Sequence, residues 1–165
     1  MYSLIKRNLV AMTILAGVTG MFIAGCAKQP SADIQPAQPS AESFVTAGDY
    51  EMHFNAIRSD QLTPDVARAY GIERSKNKVL LNVSVLNHIN GAAAATEANV
   101  SVLVHNLNDQ VKNLALRRIT EGTAIYYVGE ADISGAETLV FEITATPNGS
   151  GNTITAKLTR EFFAN

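Results

Sequence analysis

From Phe44 onward, apolar and polar residues alternate in short runs of even spacing. "DYEMHFNAI" sets Tyr50, Met52, Phe54 and Ala56 on one side of an extended chain. "VLLNVSVL" groups Val79, Leu81, Val83 and Val85 against Asn82 and Ser84, and "EANVSVLV" repeats the device through Val100, Val102 and Val104. "AIYYVGEADI", "TLVFEITA" and "TITAKLTREF" follow, with "LALRRI" as a weaker member. Period-two patterning with β-branched enrichment is the mark of half-buried strands. Asn90-Gly91 suits a hairpin turn, and "TPNGSGN" (146–152) punctuates the last strand pair. About seven such strands predict an all-β, immunoglobulin-like antiparallel β-sandwich. A barrel is the competing closure.

One segment breaks the period. In "SDQLTPDVARAYGIERS", Thr63 can cap a helix, Pro64 suits its first position, Asp65 favours its positive end and Gly71 can close it. The pattern predicts one short helix, Pro64 to Tyr70, between the first two strands. Leu62, Val66, Tyr70 and Ile72 are expected to turn inward and plug one end of the sandwich.

The first 43 residues read differently. Lys6 and Arg7 precede an uncharged run from Leu9 to Ala24, as in an exported signal peptide. The run then ends in Ile23-Ala24-Gly25-Cys26, which resembles the lipobox of bacterial lipoproteins. That resemblance implies cleavage after residue 25 and a diacylglycerol on the Cys26 thiol. Ala27 in place of Asp implies an outer-membrane address. Residues 26–43, rich in Pro, Ala, Ser and Gln, predict a flexible tether of roughly 20–25 Å. The folded domain is then 44–165.

Cys26 is the single cysteine, so no intrachain disulfide can form and the core alone must supply stability. Without Lys6 and Arg7 the 13 basic residues become 11 against 15 acids, a formal charge of −4. An acidic chain of this kind is a poor partner for nucleic acid. The expected contacts are the membrane, through the N-terminal lipid, and an envelope protein or small ligand.

Two blocks carry a wider resemblance. "GDYEMHFNAIRSDQLTPDVARAYGIERSKNKVLLNVSVL" includes Asp49, His53, Asn55, Tyr70, Arg74 and Asn82, and "RRITEGTAIYYVGE" includes Arg118, Glu121, Tyr126 and Tyr127. Together they are similar to a small family of exported Gram-negative bacterial proteins catalogued as a domain of unknown function. The resemblance implies a periplasmic β-sandwich and supplies no activity. This chain departs from the usual member in its lipobox and tether, and in the run Ala92–Ala95 after the turn.

Three constellations could carry chemistry. His53 shares a strand face with Glu51 and Asn55, and an imidazole beside a carboxylate can serve as a general base. The plainer expectation is that His53 and Asn55 bond the loop that follows. Arg74, Ser75 and Lys76 cluster after the helix and could receive an anionic group. The plainer expectation is that Arg74 pairs with an acid such as Asp60 or Asp65 and pins the helix to the sandwich. Of Tyr126 and Tyr127, strand alternation sends one inward and one outward, and an outward tyrosine near Arg118 could form a binding surface.

No H-x-x-x-H or C-x-x-C spacing is present, so neither metal nor cofactor is expected. Ser75 lacks the G-x-S-x-G setting of a hydrolase nucleophile. The sequence therefore favours a non-catalytic binding or assembly module with its surface at His53, Asn55, Arg74, Ser75, Arg118 and Tyr127. An envelope enzyme using His53 as base and a purely structural envelope lipoprotein are the alternatives.

Overall fold

A computed structural model describes residues 43–164 of the protein. The expected signal peptide, Cys26 and residues 26–42 of the tether lie outside the described residues. Ser43, the last tether position expected, already pairs with Phe54.

Strands β1 (Ser43–Ala47), β2 (Tyr50–Arg58), β3 (Lys78–Asn87), β8 (Ala124–Asp132) and β7 (Arg117–Glu121) lie side by side in that order. The two-residue β4 (Ala94–Ala95) joins β3 beyond the end of β8. The second sheet runs β10 (Ile154–Ala164), β9 (Gly135–Pro147), β5 (Ala98–Asn106) and β6 (Val111–Lys112). Every pairing is antiparallel. The immunoglobulin-like sandwich read from the alternation is the fold observed, with more strands than seven because short edge strands are added.

Between the sheets lies one core. The first sheet gives it Met52, Phe54, Val79, Leu81, Val83 and Val85, the second Val104, Leu139, Phe141, Ile143, Ile154 and Phe162. These are the in-pointing residues of each period-two run, and fully burying each large one stabilises the domain by roughly 1.5–3 kcal/mol. On one side the sheets are clasped by two arginines. Arg160 donates to the Asn55 Oδ1 at 2.9 Å and to the Ala56 carbonyl, and Arg58 donates to the Phe163 carbonyl at 2.5 Å. β1 pairs with β2 only as far as Phe54, so Arg160 reaches the part of β2 that β1 leaves uncovered.

Three details differ from the sequence reading. Because β1 forms ahead of it, "DYEMHFNAI" is the second strand, and helix α1 (Pro64–Ala69) joins β2 to β3. The Asn90-Gly91 turn is a longer connection: a 3-10 turn over Ile89–Gly91, with Gly91 at φ 78°, and β4 then folding back on β3. Finally, α1 does not plug an end of the sandwich. It lies on the outer face of the first sheet, where Ala67 and Ile72 pack against Leu80 and Val128. Leu80 and Val128 point away from the core that holds Val79, Leu81 and Tyr127, so this face is apolar enough to need a cover.

Candidate functional site

Helix α1 is built locally as its sequence requires. Thr63 Oγ1 accepts from the Val66 amide at 3.4 Å, Pro64 occupies the first turn, and Gly71 takes φ 60° so that the Ile72 amide can return to the Ala67 carbonyl at 2.8 Å. Six residues of helix extend about 9 Å, too little to cover four strands. Tyr70, at its end, fixes the far side by donating to the Glu121 carboxylate on β7. That hydrogen bond, with partial burial and the carboxylate's charge, holds the Tyr70 hydroxyl protonated, its pKa pushed up to about 12.

The partial cover leaves a hollow of about 280 Å³. Its walls are Ile57, Leu62, Val66, Ile72, Leu80 and Val128 with Tyr70 and Tyr126, and Asn55 and Asn82 add two side-chain amides. The two asparagines are direct cross-strand partners on β2 and β3. Their environments differ. Asn55 Oδ1 accepts from Arg160, whereas Asn82 Oδ1 is buried and accepts no hydrogen bond. Among the described side chains Glu130 Oε1 shares that condition, but Glu130 does not line the hollow. A buried carbonyl oxygen without a donor costs about 1–3 kcal/mol. No lining residue carries a formal charge.

A second hollow of about 250 Å³ adjoins the first, with Tyr126 common to both. His53, Ser84, Leu86, Ala95, Ala124 and Ile125 complete it. His53 contacts the Glu51 carboxylate through Nε2, and its ring centroid lies 5.6 Å from that of Phe44. His88 Nε2 stands 3.8 Å from the other Glu51 oxygen. Among the described residues, no group of three or more His, Cys, Asp or Glu is placed to hold a metal ion. No helix among them is long and apolar enough to cross a membrane.

The sequence-predicted surface is divided by the fold. His53 and Asn55 do share the outer face of β2, but they serve different hollows. His53 meets Glu51 and Phe44, and Asn55 accepts from Arg160. Arg74 and Ser75 line neither hollow. Arg74 donates to the Asp60 backbone carbonyl at 2.8 Å, while the Asp60 carboxylate pairs with Arg58 and Asp65 with Arg68. Ser75 is pinned by its backbone: its amide donates to Ser59 Oγ at 2.9 Å and its carbonyl accepts from it at 3.1 Å. Ser59, fully buried, is the knot of this loop.

Tyr127 is a correction. It is only 7% exposed and points into the core, where its hydroxyl accepts from the Ala98 amide at 2.7 Å. The outward tyrosine is Tyr126. Arg118 pairs with Glu97 and lines neither hollow. The residues missed were Leu80, Val128 and Asn82. A signal existed: Val79-Leu80-Leu81 and Tyr127-Val128 place bulky apolar groups on both faces, which alternation with one wet face does not explain.

Comparison with known proteins agrees with this architecture. Residues 44–165 match the family model described as a domain of unknown function, DUF4426. The chain is similar to a crystallised DUF4426 family protein from Pseudomonas aeruginosa PAO1, at 34% identity and a TM-score of 0.63, over 75% of this chain and 96% of that one. It is also similar in fold to a copper-bound variant of FetP from uropathogenic Escherichia coli strain F11. There the identity is 10% and the TM-score 0.52, over 74% of this chain and 95% of that one. Among curated proteins, no match to this chain is found.

Proposed function

The chain belongs to the DUF4426 family, and we propose that it is a non-catalytic binding module of the bacterial envelope whose ligand seat is the hollow beneath α1. The observation that carries this reading is the hollow itself: apolar walls, an open side, and a buried Asn82 Oδ1 with no donor. Ligand sites are concave and mostly apolar, with a few placed polar groups, and this one sits at the small end of their size range. Asn55, Tyr70, Asn82 and Tyr126, four positions on which the sequence resemblance rests, all line it.

An enzyme built on His53 has less support. Its ring contacts the Glu51 carboxylate and Phe44 and lines the neighbouring hollow, to which Asn82 does not contribute. Copper, bound by the FetP variant, is not carried over, because a likeness at 10% identity speaks to fold alone.

Export and anchoring belong to the same reading. Lys6, Arg7, the uncharged run and Ile23-Ala24-Gly25-Cys26 support a lipid-modified Cys26 in the outer membrane, with the domain facing the periplasm. Several acyl chains, at about 0.8 kcal/mol per buried methylene, would hold it there. Intact-mass measurement of membrane-extracted protein is expected to give a diacylated chain starting at Cys26. Cys26→Ser should release the protein from the lipid fraction, and an unchanged distribution would count against the anchor.

The binding reading is tested with the isotope-labelled full-length chain and the small-molecule fraction of an envelope extract. Amide shifts are expected around Asn82, Tyr126 and Tyr70. Val66→Trp, placed at the exposed rim, should fill the hollow and suppress them. Shifts that lie elsewhere, or that persist in Val66→Trp, refute the assignment of the site.

A further inference from the structure

The hollow beneath α1 also states what kind of molecule it takes. We infer that its ligand is a small neutral molecule with a flat or branched apolar body and one hydrogen-bond donor, an N–H or O–H, which meets Asn82 Oδ1. This rests on the reading of the hollow as a binding seat and adds the chemical class.

Four observations lead there. First, the lining carries no formal charge, and the Glu121 carboxylate is engaged by the Tyr70 hydroxyl. A charged ligand would lose its hydration against aliphatic walls with nothing to replace it. Second, the polar lining groups are unequal. Tyr70 donates to Glu121 and Asn55 Oδ1 accepts from Arg160, whereas the buried Asn82 Oδ1 accepts no hydrogen bond. An acceptor calls for a donor. A ligand without one would leave that oxygen as unsatisfied as before.

Third, the volume limits size. At about 280 Å³ the hollow is roughly twice the ~150 Å³ apolar cavity that admits benzene, which suits a bicyclic ring or a single ring with a short branch. Fourth, Tyr70 and Tyr126 supply two aromatic rings beside the aliphatic wall, a setting that favours an aromatic guest by offset or edge contacts.

The test uses two probes of the same shape, indole and benzothiophene, which differ in that a ring N–H is replaced by sulfur. Indole-3-carboxylate adds a charge. Titration calorimetry and amide shifts on the purified full-length chain should show indole binding roughly tenfold more tightly than benzothiophene, the loss expected when a buried acceptor is left without its donor. The carboxylate should bind more weakly than indole. Asn82→Leu, similar in size and without the acceptor, should erase or reverse the preference for indole, and the wild-type comparison stands without that variant should it fail to fold. Equal affinity for indole and benzothiophene, with shifts at Asn82, overturns the donor requirement and leaves the binding seat intact. Carboxylate binding as tight as indole overturns the neutral class. Absence of shifts at the hollow with all three probes overturns the inference outright, and shifts from the envelope fraction at the same residues would show that the seat itself survives.

Discussion

Replacing Gly129 by alanine sets two opposing effects against each other, and the structure decides between them. Gly129 lies on β8 opposite Leu81, facing inward between the sheets. A Cβ at that position would stand 2.5 Å from Leu114 Cδ2, 2.9 Å from Leu114 Cγ and 3.2 Å from the Ala115 carbonyl oxygen. Carbon atoms in good contact sit about 3.5–4.0 Å apart, so the shortfall at Cδ2 is about 1 Å. The methyl could swing aside, but Cγ and a backbone carbonyl leave it little room. Overpacking of this kind costs roughly 1–3 kcal/mol. Against it, alanine in a strand gains roughly 0.5–1 kcal/mol over glycine in backbone entropy.

The clash therefore wins, by about 1–2 kcal/mol. For a domain of this size that lowers Tm by about 4–8 °C, readable by circular dichroism during heating. Leu114 packs against the core, so Leu114→Ala is destabilising too. It also removes the atoms in the way, and the double variant should be less destabilised than the sum of the singles by about 1 kcal/mol. A Gly129→Ala protein as stable as wild type, or strictly additive effects, would refute the claim that Leu114 is the reason for glycine here.

Other consequences are as concrete. Tyr70 should titrate late: its hydroxyl, bonded to Glu121, is pushed up to about 12, so ultraviolet titration should show a tyrosinate forming in that range, and Glu121→Gln should return it towards 10. Because the folded value exceeds the unfolded one, the stability linked to it is whole below pH 10 and is lost as pH rises towards 12. For Glu137, burial pushes the carboxyl up, but hydrogen bonds from Lys112, Asn106 and the Ser134 amide outweigh it and leave the pKa below the ordinary value. Its contribution is present above about pH 4.3 and fades as pH falls through the lower folded value, so Glu137→Gln should flatten the acid limb of a urea-stability profile. Arg160→Met should remove the bonds to Asn55 and the Ala56 carbonyl, lowering the urea midpoint by an amount equivalent to about 1–2 kcal/mol, and a midpoint within error of wild type would show the clasp to be dispensable.

How far the site was legible follows from the kind of signal each residue emits. His53 and Asn55 were assigned to the outer face of their strand, and they occupy it, because alternation reports which side of the sheet a residue takes. Arg74 and Ser75 were read as a polar cluster, yet the Asp60 carbonyl holds Arg74 and the Ser59 hydroxyl holds the Ser75 backbone, and partners so far back along the chain have no sequence signature. Tyr127 went to the core and Tyr126 to the hollow because the register of β8 against β3 fixes the parity, Val83 opposite Tyr127 and Asn82 opposite Val128. A tyrosine pair alone does not say which member faces in.

The sequence by itself determined the seven principal strands, the capped helix after Thr63, the turn within 146–152 and the reliance on a core without disulfides, since each of these depends on neighbours a few residues away or on composition. Only the tertiary structure decided that α1 lies across the outer face, that Arg160 joins the sheets, and that Asn82 ends under a partial roof without a donor. These depend on strands far apart in the chain meeting at one register, where a shift of one residue would exchange the two faces. Local chemistry sets the pattern of each strand, and the geometry of their assembly sets which oxygen is left waiting for a partner.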